Sequence, residues 1–153
     1  MVATLLDLTG GGVPAGLRGH SLAAGAHPGF AYSESHSDGN HTGSFMIRKG
    51  AWKYIYFTGD TPLLFNLERD PGEFENLAGN KQYAEVQREL HGHLTSLVDP
   101  DAVTQRAFDA QERQLTALVA NMKRDEFYEL IESRLGPGQS RVLTNRLYKG
   151  KRS

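Results

Sequence analysis

SFMIRKGAWKYIYFTGDTPLLFNLERDPGEFENLA, residues 44–78, decides the fold. Phe45, Ile47 and Lys49 alternate with Met46 and Arg48, and Trp52, Tyr54 and Tyr56 alternate with Lys53, Ile55 and Phe57. Aromatic and β-branched residues at period two suit a pleated strand, whose successive side chains point to opposite faces. Gly50-Ala51 is a connection short enough to make the two strands an antiparallel hairpin. After the turn Gly59-Asp60-Thr61-Pro62, Leu63–Leu67 reads as another strand. Asp70-Pro71-Gly72-Glu73 then reads as an acidic turn that caps a helix and sets carboxylates at its positive end, with Asn76 and Leu77 as anchors.

Outward from this stretch, a strand is expected from Phe30 to His36, and Ser37–Thr42 is a polar turn. Residues 13–28 are rich in Pro, Gly, Ala and Ser and read as loop. Residues 2–9 form a short apolar helix stopped by Gly10–Gly12. Downstream, Asn80 can cap a helix with Tyr83, Val86, Leu90, Leu94 and Leu97 on one face. Asp99-Pro100 starts a second helix, seamed by Phe108, Leu115, Leu118 or Val119, and Met122. Phe127, Leu130, Ile131 and Leu135 mark a third helix or a continuation of the second, ended by Gly136-Pro137-Gly138. The fold class is therefore α+β: a small antiparallel sheet of about four strands, helices packed on one face, and a helical C-terminal extension. Residues 1–98 form one domain, and 99–153 an extension packed on it or on a partner.

Composition excludes several functions. The 153 residues carry a net charge of −1 and 23% charged side chains, so no field draws the chain to nucleic acid or to an anionic membrane. No apolar run approaches the ~18 residues that span a bilayer. Trp52, Tyr54 and Tyr56 resemble a base-stacking platform in isolation, but without basic excess they read as core. Cysteine is absent, which removes disulfides, a thiol nucleophile and thiolate metal sites. No serine sits in a G-x-S-x-G elbow, and the glycine run follows a helical stretch rather than a phosphate-loop strand.

Five motifs in order carry a family resemblance. Thr4-Leu5-Leu6-Asp7-Leu8-Thr9-Gly10 matches D-L-x-P-T-L-L-D-L-A-G, and Arg18-Gly19-His20-Ser21-Leu22 matches D-G-x-S-L with arginine for aspartate. Tyr32-Ser33-Glu34-Ser35-His36 matches Y-S-E-x-H/Y. Met46 to Ile55 matches M-I/V-R-x-G-x-W/Y-K-Y/F-I, and Leu64 to Ala78 matches L-F/Y-D-L-x-x-D-P-x-E-x-x-N-L-A with Asn66 for the first aspartate. Together they resemble the C-terminal subdomain of the sulfatases of the alkaline-phosphatase superfamily, nearest to its choline-sulfatase-like and phosphonate-monoesterase-like members.

The resemblance implies a sulfuric ester hydrolase whose nucleophile is a formylglycine made in a C/S-x-P-x-R motif, with a divalent cation, calcium or magnesium. This chain has no such motif, so the nucleophile and cation ligands are expected upstream of Met1. No catalytic residue, metal ligand or cofactor is expected in the chain itself, which is then inactive alone. Its partners would be the upstream catalytic domain and further copies of itself in a homo-oligomer, with neither nucleic acid nor membrane.

Glu34, His36, Asp38 and His41 are the densest polar cluster. In the family the loop after this strand approaches the cleft, so Glu34, His36 and His41 are the expected substrate-binding residues, and a carboxylate there could hold a choline-like cation. The competing reading is a solvated strand end. As metal ligands, His36 and His41 would need a third and fourth partner. Arg48 is expected to pair with Asp70 or Glu73, leaving anion binding by Arg48, Lys49 and Lys53 as the weaker reading. His91 and His93, two apart on a helix, face different ways. The alternatives in function are a free-standing oligomerisation module, and part of a phosphonate or phosphate ester hydrolase.

Overall fold

The computed structural model describes residues 2–17, 19–23, 25, 28–36 and 41–148. In chain order these form α1 (Val2–Leu8), β1 (Phe30–Ser35), β2 (Ser44–Lys49), β3 (Trp52–Phe57), β4 (Leu63–Asn66), α2 (Ala84–Leu97), α3 (Pro100–Asn121) and α4 (Arg124–Leu147). The chain divides into two compact units, Met1–Thr104 and Gln105–Ser153. The α+β class holds: the first unit carries one antiparallel sheet in the order β1-β2-β3-β4.

Register follows the alternation in the sequence. Tyr32 lies opposite Ile47, Ile47 opposite Tyr54, and Tyr54 opposite Leu64. Residues directly opposite in an antiparallel pair share a face. That face carries Phe45, Ile47, Tyr54 and Leu64, and α2 lays Leu90 and Leu94 on it to close the core. Trp52, Tyr56, Tyr83, Val86, Leu97 and Val103 pack around the edge. Fully burying each large apolar side chain contributes about 1.5–3 kcal/mol, so this layer holds the unit together. Core packing is thus the role of the aromatic strand. Among the described residues, no helix is long and apolar enough to cross a membrane.

Two of the sequence motifs bond to each other. The Ser21 hydroxyl donates to Asp7 at 2.6 Å, and the Leu22 N–H donates to Thr4 Oγ1 at 3.0 Å. They tie the loop before β1 back onto α1. Gly10, at φ 72°, lets the chain leave α1 where a side chain would be strained.

The acidic turn behaves differently from the sequence expectation. It starts no helix. Asp70 accepts the N–H of Glu75 at 2.8 Å, and the N–H groups of Glu75 first and Phe74 next hold its carboxyl below the ordinary range. The turn thus satisfies its own carboxylate. Asn76 does anchor it: its Oδ1 accepts the N–H of Leu64 and of Ala78, its amide donates to Pro62, and the Leu77 N–H donates to the Leu64 carbonyl. Helical backbone resumes only at Lys81, in a 3₁₀ turn capped by the Asn80 side chain, and passes into α2. Nor does Arg48 take Glu73. Lys53 holds both oxygens of that carboxylate, at 2.7 and 2.9 Å, because its side chain emerges from β3 beside the turn. Lys49 is paired as well, with Glu89 of α2 at 2.7 Å.

The Asp99 carboxylate caps α3 through the Ala102 N–H, as the Asp-Pro signal implies. In the second unit, α4 is broken at Gly136 (φ 74°, ψ 163°), so the third helix does end there, and a further helical segment follows. The two segments run antiparallel. Arg124 bonds Asn145, Phe127 packs on Tyr148, and the Tyr148 hydroxyl donates to the Met122 carbonyl. Val119, Phe127 and Tyr148 form the buried cluster of this unit, with Leu115 and Ile131 against it. Leu118, the other seam candidate, is exposed.

Candidate functional site

β1 is an edge strand, and period two puts Tyr32, Glu34 and, just past its end, His36 in one row. The Tyr32 hydroxyl donates to Glu34 Oε2 at 2.5 Å. The other oxygen of Glu34 lies 3.9 Å from His36 Nε2. Burial raises the Tyr32 phenol well above its ordinary range, and the hydrogen bond to Glu34 adds to that rise. Tyr32 therefore stays a neutral donor. The His36 ring meets the edge of Phe45 with centroids 5.2 Å apart, which fixes its plane against the core.

Gly43 permits this arrangement. A methyl group at that position would run into the Thr104 hydroxyl, His36 Nδ1 and Phe45. Thr104 in turn meets Thr58 Oγ1 at 3.0 Å, and the Thr42 hydroxyl donates to the Thr58 carbonyl at 2.7 Å. The strand ends around His36 are thus held by a short hydroxyl network under the row.

The structure brings together Glu34 and His36 but places His41 elsewhere. His41 is exposed and lies 3.5 Å from Asp60, in the turn between β3 and β4. With Thr42, Phe57 and Thr61 these two residues line a shallow hollow of about 220 Å³. Asp38 lies outside the described residues. Sequence reasoning missed Tyr32 and Asp60. Tyr32 could have been found, since i, i+2, i+4 along a strand share a face. Asp60 left no local signal, because only the sheet brings it to His41.

His91 and His93, on α2, make ring contacts with aromatic residues of the sheet. His91 Nδ1 is 3.2 Å from the Tyr54 hydroxyl and its ring packs on Tyr56, while His93 meets Phe30 at 4.4 Å. Among the described residues, no group of three or more His, Asp or Glu side chains is placed to hold a metal ion. Chemically, the row offers a neutral hydroxyl donor, a carboxylate acceptor and an imidazole. Such a set can bind hydroxyl-bearing or cationic ligands.

Comparison with known proteins bears on this site. The family model described as N-sulphoglucosamine sulphohydrolase, C-terminal, matches residues 1–100. Arylsulfatase K of Danio rerio is 35% identical over 124 residues, which is 72% of this chain and 23% of that protein. Delta 4,5-hexuronate-2-O-sulfatase of Bacteroides thetaiotaomicron is 35% identical over 109 residues, 64% of this chain and 22% of that protein. A solved 2-O GAG sulfatase matches with TM-score 0.57 and 29% identity, over 74% of this chain and 25% of that one. The chain spans about a quarter of the length of the curated relatives it matches.

Proposed function

Since this chain belongs to the sulfatases, as the family's C-terminal domain, we propose that it forms one wall of the substrate pocket of a sulfuric ester hydrolase, with Glu34 and His36 toward a sulfated sugar and His41 acting from its separate place beside Asp60. The observation that carries this reading is the Tyr32–Glu34–His36 row on the edge strand. A carboxylate held by a donor tyrosine, with an imidazole beside it, suits the paired hydroxyls of a sugar ring. The names of the relatives, a hexuronate 2-O-sulfatase and a 2-O GAG sulfatase, point to the same ligand class.

The formylglycine and its divalent cation, calcium or magnesium, belong in this reading to the portion of the enzyme outside this chain. The chain has no cysteine and no C/S-x-P-x-R motif, and its described residues present no carboxylate or histidine cluster of the needed size. Its own work is to bind and orient the sugar. Each correctly placed hydrogen bond to a charged group contributes about 1.5–3 kcal/mol.

The test joins the chain to a sulfatase catalytic region that carries the nucleophile motif. Sulfate release from a 2-O-sulfated hexuronate is followed beside release from nitrophenyl sulfate, which has no sugar hydroxyls. Glu34→Gln and His36→Gln are expected to lower kcat/KM for the sugar about tenfold more than for nitrophenyl sulfate. Equal losses on both substrates, or sulfate release by the 153-residue chain alone, overturn the reading. A phosphonate monoester as a third substrate separates the two ester classes.

A second role rests on another observation. Val2, Leu5 and Leu8 form one exposed face of α1, and Leu22, tied to Thr4, extends it. Contiguous exposed apolar surface drives association. This face supports the reading of a homo-oligomer contact.

A further inference from the structure

The second unit carries a half-open polar cavity that the sulfatase reading leaves unused. Arg124 and Asp125 open α4, and Tyr128 stands one turn on. Beyond the break at Gly136, Arg141, Thr144 and Asn145 come back against them, and the six residues line about 270 Å³. None of them falls within residues 1–100, the stretch that carries the family match.

Thr144 is the decisive member. It lines the cavity and is 2% exposed, and its Oγ1 is buried with no hydrogen-bond partner among the described residues. Leaving a buried hydroxyl unmatched costs about 1–3 kcal/mol, so an acceptor placed in the cavity would recover that loss. The groups around it are mostly donors. The Arg124 guanidinium is steered into place by its 2.6 Å bond to Asn145 Oδ1, which uses one of five N–H groups. The Tyr128 hydroxyl donates to Glu132 at 3.0 Å, and Arg141 reaches the same hydroxyl. The one carboxylate in the lining, Asp125, is 93% exposed and 4.0 Å from Arg124, at the mouth.

Two arginines and a buried threonine lining one space, beside the N-terminal turn of the helical segment that runs from Arg124 to the break at Gly136, match an oxoanion in charge and in hydrogen-bonding character. We propose that this cavity binds a tetrahedral oxoanion, the sulfate or phosphate group of a larger ligand, clamped by Arg124 and Arg141, with Thr144 donating to it from the wall. The site is separate from the Glu34–His36 row and stands whether or not that row meets a sugar.

The whole chain is titrated with inorganic sulfate and, separately, with inorganic phosphate, at ionic strength held constant with chloride. Backbone NMR shifts of residues 124–128 and 141–145 report binding. Saturable shifts confined to these residues are expected with at least one anion. The preferred anion identifies the group carried by the ligand. Arg141→Gln is expected to weaken binding roughly tenfold, while Arg141→Lys recovers part of it. Thr144→Val, which keeps the shape and removes the donor, is expected to weaken binding severalfold while the helical circular dichroism is preserved. No saturable shift at tens of millimolar of either anion, or unchanged affinity in both Arg141→Gln and Thr144→Val, overturns the proposal.

Discussion

Tyr54 shows how one side chain joins sequence pattern to stability. Alternation puts it on the inner face of β3, where it is 2% exposed and its hydroxyl reaches His91. Burial first, and the neighbouring Tyr56 second, push its phenol up to about 12. The fold therefore holds the neutral form more tightly than the unfolded chain does. That contribution is complete below the ordinary phenol value of about 10, and it disappears as pH rises from there toward about 12. Over that window the chain is expected to lose about 2–3 kcal/mol of unfolding free energy from this group. Urea melts at increasing alkaline pH measure the loss, and Tyr54→Phe is expected to flatten it. A variant with the same alkaline slope would show that the phenol is not the group responsible. The same scale sets the limit of the candidate site. Glu34 and His36 were singled out as neighbours in a dense polar cluster at the end of an expected strand. The pairing of His41 with Asp60 was not, since it depends on where a distant turn arrives.

At the scale of elements, glycine and asparagine decide where the chain changes course. Gly136, at φ 74° and ψ 163°, occupies a region that only glycine enters without strain. The reversal there lays Arg141–Asn145 alongside Arg124–Tyr128. Gly136→Ala is expected to destabilise this helical pair by about 1–3 kcal/mol. Hydrogen exchange across residues 124–147 reads the effect, and unchanged or slower exchange would refute it. The run Gly136-Pro137-Gly138 announced the end of a helix from sequence, but a stop signal does not say where the chain goes next. The acidic turn teaches a similar lesson. Asp-Pro-Gly-Glu carries the residues of a helix start. Yet the carboxylate of Asp70 is claimed by nearby N–H groups of its own turn, and the helix waits for Asn80. Local composition identified a turn, and competition among nearby donors chose which one.

For the molecule as a whole, the exposed apolar face of α1 has a direct consequence. Leu5 is 56% exposed, Leu8 68% and Leu22 70%, all near one another through α1 and the Leu22–Thr4 bond. The chain on its own is expected to self-associate in light scattering. Leu5→Lys with Leu8→Lys is expected to shift it to monomer, since each buried leucine contributes about 1.5–3 kcal/mol to such a contact. A strictly monomeric wild-type chain at high concentration would overturn this. The sequence by itself determined the strands and their antiparallel pairing, the Asp99-Pro100 start of α3 and the family, because each rests on spacing between near neighbours in the chain. Only the tertiary structure decided that Lys53 takes Glu73, that His41 lies apart from the Glu34–His36 pair beside Asp60, and that two arginines and a buried threonine line one cavity. These depend on which surfaces meet when the core closes, and burial acts on side chains that no local pattern brings together.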